Sequence, residues 1–151
     1  MKTILRFLII SYFVLNTVSI SAENKTDTDP QLHKMAWEMR SALLNMDINY
    51  LMKYVAPSGT YFIDNIYSHD DIDKMFRDKN SWLYKHLFVG DTSVKDYFIR
   101  AHNLKIKIYK RDTNAILVSY QSSNFEEVKW VENCFIKINE TWYFDGIFTC
   151  Q

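Results

Sequence analysis

The chain has 151 residues with 18 basic and 18 acidic side chains, so its formal net charge is zero, and 48% of it is hydrophobic. That balance supplies no global attraction to nucleic acid or to an anionic membrane surface, and the length suits one hydrophobic core with little room for a second. Aromatic residues reach 16% and glycine only 3 positions, which excludes a disordered, low-complexity chain.

Residues 1–22 read as a secretory signal peptide. Lys2 and Arg6 form a basic start, residues 8–20 an apolar run interrupted only by Ser11, Asn16, Thr17 and Ser19, and Ser21-Ala22 a small-residue exit. A membrane span needs about 20 consecutive apolar residues, and neither this run nor any later one qualifies. The product is therefore expected to be periplasmic or secreted and not membrane-anchored after cleavage. Lys2 and Arg6 leave with the signal, so 16 basic residues face 18 acidic ones in the mature chain, a net charge of −2. Residues 23–30 are polar and read as a disordered leader, and residues 31–151 as a single domain.

From residue 31 to 46 the apolar positions Leu32, Met35, Ala36, Met39, Ala42, Leu43 and Met46 recur mostly at spacings of three and four, which predicts an amphipathic helix. Asp47 caps a second, short helix to Val55, ended by Pro57-Ser58-Gly59. The aromatic and β-branched run 60–67 predicts one strand. Ser68, Ser81 and Ser93 each open a further helix, reaching about Arg77, Phe88 and His102. Beyond His102 the period falls to two, and four strands follow at 103–110, 115–121, 126–138 and 141–149, with turns at residues 111–114 and at Asn139-Glu140. Helices first and an antiparallel sheet last predict an α+β fold with the helices on one sheet face.

Both cysteines lie in or after the final strands, and export makes a Cys134–Cys150 disulfide the default, with an intermolecular bridge or free thiols as the alternatives. A two-residue turn pairs 138 with 141 and hence 134 with 145. Cys150 then stands five residues further along and on the opposite face, while bridged Cα atoms lie within about 7 Å. The last residues must curl back, or a bulge must shift the register.

Two N-terminal helices, a strand after a Pro-Ser-Gly turn, further helices and a terminal meander carrying Trp142-Tyr143-Phe144-Asp145-Gly146-Ile147 resemble the cone-shaped, cystatin-like α+β fold of the SnoaL-like, ketosteroid isomerase and scytalone dehydratase superfamily. The resemblance covers residues 31–148. It implies a curved sheet around an apolar pocket, lined by Tyr61 or Phe62, Trp82, Phe98, Tyr120, Trp130 and Phe144, and a homodimer through the sheet as one oligomeric option. It also implies that the enzymatic members' base and donors would fall on Asp64, His102, Tyr120 or Asp145, where a carboxylate in an apolar cavity could move a proton. Tyr61, His86, Tyr97 and Tyr143 are further polar candidates, and packing and helix-dipole roles are the preferred reading of the tyrosines and histidines.

Other constellations are weaker. Residues 68–73, Ser-His-Asp-Asp-Ile-Asp, offer two ligands at i, i+4 and no zinc or calcium pattern, and acidic residues there suit the first turn of a helix. Lys105, Lys107, Lys110, Arg111, Lys129 and Lys137, with Tyr109 and Trp130, read as a solvated sheet face or a site for an acidic protein patch. Export argues against nucleic acid. Asn24-Lys25-Thr26 and Asn139-Glu140-Thr141 match the N-glycosylation pattern. No cofactor or metal is expected. The chain reads as an exported, non-catalytic binding domain for a small apolar ligand or a protein partner. A proton-transfer enzyme of isomerase or dehydratase type and an inhibitor or immunity-type interaction protein are the alternatives.

Overall fold

The first described residue already has a structural task. Asp29 accepts a hydrogen bond from the Gln31 amide at 2.8 Å, and Pro30 pre-sets the first helical φ. Together they start α1, Pro30–Asn45, which ends at Met46 in a left-handed conformation (φ 56°). In this computed structural model the described residues are 29–62, 65–124 and 130–148. The expected signal segment, most of the expected leader, Asp64, the Trp130 side chain and Cys150 with its expected bridge lie outside them.

Helix α1 buries Leu32, Met35, Ala36, Met39, Ala42 and Leu43 on one stripe, six of the seven positions its period predicts, while Met46 sits half-buried just past its end. Asp47 caps α2, Ile48–Met52, through the Tyr50 amide at 3.0 Å. Three later helices share one starting device: α3 (His69–Arg77), α4 (Trp82–Phe88) and α5 (Val94–Arg100). The hydroxyls of Ser68, Ser81 and Ser93 accept from the amide three residues on, at 3.1, 3.0 and 3.2 Å.

Two strand expectations are corrected. Residues 60–67 are not one strand but a hairpin, β1 (Thr60–Phe62) against β2 (Asn65–Tyr67), with Thr60 opposite Tyr67 and Tyr61 opposite Ile66. Propensity marks a run as extended without fixing where it folds back, so the one expected strand becomes two paired ones. The last strand, β6 (Thr141–Phe144), stops well before residue 149 because Gly146 (φ 106°) and Phe148 (φ 52°) turn the chain. With β3 (Lys105–Lys110), β4 (Ala115–Gln121) and β5 (Trp130–Ile138), β6 completes an antiparallel meander in the order β3-β4-β5-β6. Asn139 and Glu140, both at positive φ, make the two-residue turn that puts Ile138 opposite Thr141, as expected.

One sheet face carries Ile108, Ile116, Val118, Tyr120, Phe135 and Phe144 into the core with the helices. Alternation puts Lys105, Lys107, Tyr109, Leu117 and Cys134 on the other face, with Cys134 buried and accepting from Arg111 Nη1 at 3.5 Å. The Phe144 amide donates to the Tyr54 carbonyl at 2.7 Å, which ties the end of α2 to β6 and covers that sheet edge. The fold is thus α+β, with helices and antiparallel strands as read from the sequence.

Candidate functional site

Between the helices and the sheet the space is taken up by side chains. Tyr54, Phe135, Phe144, Phe148, Phe98 and Tyr120 touch ring to ring, with centroid separations from 5.0 to 6.5 Å. The Tyr120 hydroxyl, fully buried, donates to the Ala36 carbonyl at 3.0 Å, and the Tyr97 hydroxyl donates to the Tyr120 carbonyl at 2.7 Å. Burial raises the Tyr97 phenol to about 12, and burial raises Tyr120 further, helped by Tyr54 and opposed by Arg40. These tyrosines are anchors whose protons stay in place.

The residues expected to line an internal pocket divide accordingly. Phe98, Tyr120 and Phe144 belong to that packed chain, and Phe62 is buried against Tyr67 and Trp82. Tyr61 points outward from the same strand, 39% exposed, and Trp82 is 49% exposed. Among the acid–base candidates, His102 is exposed just past α5, its amide donating to Ser122 and Asn124. Asp145 follows β6, its amide donating to the Cys134 carbonyl at 2.9 Å. Tyr120 is sealed in the core, so the structure does not bring these three to one accessible point.

Among the described residues a concavity lies elsewhere, at the end of the sheet where the β3–β4 and β5–β6 turns emerge. A groove of about 710 Å³ runs between the start of α1, the residues just after α2 and those two turns. Its floor is apolar, made by Leu32, Met35 and Ile116, and Tyr54 and Trp142 form half-buried aromatic walls. The rim mixes signs: Lys53, Lys110 and Lys137 stand with Asp29, Asp112 and Glu140. Each element delivers its share for local reasons. Asp112 accepts from the Asn114 amide at 2.7 Å in a compact turn, and the Asn139-Glu140 turn places Trp142 on the core-facing side of β6.

Electrostatically the groove is prepared for contact more than for chemistry. Lys137 pairs with Glu140 and stands 5.9 Å from the Trp142 ring centre, Lys53 lies 4.9 Å from that of Tyr50, and Asp29 is occupied as a helix cap. Among the described residues no histidine or cysteine lines it. Among the described residues the groups with displaced titration, Tyr50 and Tyr120 raised, Tyr97 raised to about 12 and His86 lowered, all lie outside the lining. Sequence reasoning did not find this groove. The one available signal was the meander itself, in which alternate turns emerge at the same end of the sheet.

Compared with known proteins, the chain matches no family model, no curated protein sequence and no solved structure at the level of significance applied.

Proposed function

We propose that this chain is an exported, non-catalytic binding module that seats a short segment of a partner protein in the groove at the turn end of its sheet. The observation that carries the reading is the groove itself: about 710 Å³, an apolar floor flanked by Tyr54 and Trp142, and a rim of both charges. That volume falls within the range of natural ligand sites. A purely apolar small molecule gains nothing from six charged rim residues, whereas a polypeptide presents apolar side chains to the floor and polar groups to the rim. Export rests on residues 1–22. The inhibitor or immunity type of interaction protein is one form of this same class, and the cone-shaped SnoaL-like architecture is the parent fold proposed for it, supported by the element order and the terminal meander. A homodimer through the outer sheet face is compatible with it, because half-buried Tyr109, Leu117, Ile136 and Tyr143 lie away from the helices.

A photo-crosslinking residue at position 142, with the protein purified from its own host, is expected to label a protein partner through one peptide. Trp142→Ala should then weaken that complex by about 2 kcal/mol or more, roughly thirtyfold, as buried aromatic anchors do, while Trp82→Ala leaves it within about twofold. A lipid or other small apolar molecule retained in native mass spectrometry and displaced by Trp142→Ala would overturn the reading.

A further inference from the structure

We propose that the groove takes its partner segment as an added strand, hydrogen-bonded to the backbone of Trp142 on the open edge of β6. The inference rests on the groove-binding reading above and specifies the conformation and chemistry of the segment. Its basis is the parity of the β5–β6 ladder. In an antiparallel pair, residues that exchange both backbone hydrogen bonds alternate with residues whose N–H and C=O turn away from the partner strand. The two-residue turn makes Ile138–Thr141 a bonded pair, so Ile136–Tyr143 is bonded as well, and Lys137–Trp142 and Phe135–Phe144 are not. Other backbone bonds agree with that parity. The Asp145 amide continues the ladder to the Cys134 carbonyl at 2.9 Å, the Lys137 amide turns the other way to the Asn114 carbonyl at 2.6 Å, and the Phe144 amide leaves the sheet for the Tyr54 carbonyl at 2.7 Å.

Trp142 therefore presents its N–H and C=O to the same open side as Phe144. At Phe144 the Tyr54 carbonyl closes that edge. Two residues nearer the turn the edge gives onto the groove, which Trp142 lines with Lys53 and Tyr54, and among the described residues nothing is bonded to the Trp142 backbone there. Unpaired strand groups are a template for another chain, and an extended polypeptide supplies the carbonyl and the amide that they need. The side chains set what that polypeptide carries. Residues opposite each other in a ladder share one face, so the residue facing Trp142 points to the helix side, where Leu32 and Met35 make an apolar floor. That residue is apolar. The rim adds a charge preference: Asp29 and Asp112 accept from backbone amides and Glu140 pairs with Lys137, whereas Lys53 has the Tyr50 ring and no carboxylate among the described residues. The fitting occupant is an extended segment with an apolar residue opposite Trp142 and an acidic residue within reach of Lys53.

Peptides selected from a phage-displayed random library on the full mature protein supply the probe. The groove is their site where Trp142→Ala weakens binding and Trp82→Ala does not. Where Trp142→Ala fails to fold, Lys53→Glu on the exposed rim marks the site in its place. Strand addition is then expected to slow hydrogen exchange of the Trp142 amide about tenfold or more when the peptide binds, with a smaller change at Tyr143, whose amide is already in the ladder. N-methylation of the one peptide residue whose N–H reaches the Trp142 carbonyl should cost about tenfold in affinity, and of its immediate neighbours about twofold or less. Groove-bound peptides that leave the Trp142 amide exchanging as in the free protein, or that tolerate N-methylation at every position, overturn strand addition and leave the groove reading standing. No binder, or binders indifferent to the groove substitutions, overturns both.

Discussion

Phe144→Ala is expected to cost about 3 to 5 kcal/mol of folding stability, the range for deleting a buried phenylalanine side chain, and to lower the melting temperature on the order of 10 to 20 °C. The reason is its position. Phe144 is 2% exposed, lies 5.4 to 6.4 Å from the rings of Phe135, Tyr54 and Phe148, and has its amide bound to the Tyr54 carbonyl. Removing the ring leaves a void walled by stiff aromatics that cannot collapse into it, so the cavity contribution adds to the lost transfer energy. Trp82→Ala is the comparison, since Trp82 is half exposed and its loss should cost less than half as much. Thermal unfolding followed by calorimetry separates the two. Near-equal losses, or a Phe144→Ala protein as stable as the parent, would mean that the interior is a roomy ligand cavity and would shift the binding reading from the groove to the interior.

Gly59→Ala is expected to destabilise by about 3 kcal/mol, and Gly90→Ala by about 1. Both glycines have positive φ, 96° and 89°, so both substitutions incur backbone strain. They differ in what a Cβ would meet. At Gly59 it would stand 2.5 Å from the Tyr67 carbonyl oxygen and 3.3 Å from Ile66 Cγ2, whereas at Gly90 nothing lies within 4 Å. The Tyr67 oxygen is backbone inside the β1–β2 hairpin and can move only if the Thr60–Tyr67 pairing moves with it. The Gly59 amide also closes the preceding turn on the Ala56 carbonyl at 2.9 Å, so displacement there pulls β1 away from the core that Phe62 anchors. Urea unfolding midpoints give both values. Matching losses for the two variants would show that left-handed strain alone matters and that the close approach to Tyr67 is relieved at no cost.

The local features were legible in the residues because their causes are local. Ser81 ahead of Trp82, and Ser93 two residues before Lys95, declare helix starts through a single side-chain oxygen and an amide three residues away. The Ile138–Thr141 register follows from a two-residue turn, and the buried stripe of α1 from a period of 3.6. The hairpin at residues 60–67 was less legible, because composition shows that a segment is extended and says little about where it folds back on itself. At Asp145-Gly146 the residues announced an irregularity, and only the packed structure shows its form, a turn that carries Ile147 and Phe148 into the core.

The candidate site lay largely beyond that kind of reading. The groove draws on residues 29–35, 53–54, 110–116 and 137–142, four segments that meet only after the helices dock on the sheet. None of them carries a pattern that singles it out alone. Which of Tyr61 and Phe62 turns inward is likewise decided by β1 pairing with β2 and docking on Trp82, since alternation guarantees only that the two point to opposite faces.

By itself the sequence determined the α+β class, the order of most elements and most of the helix starts, because capping and periodicity are read over a handful of neighbouring residues. Tertiary structure alone decided that the aromatic residues pack against one another around Phe144 and Tyr120, that a groove forms at the turn end of the sheet, and that the Phe148 amide reaches the Asn133 side chain. These depend on contacts between segments tens of residues apart, where the outcome is set by how apolar volume is filled and which polar groups are sealed from water, and no local spacing encodes either.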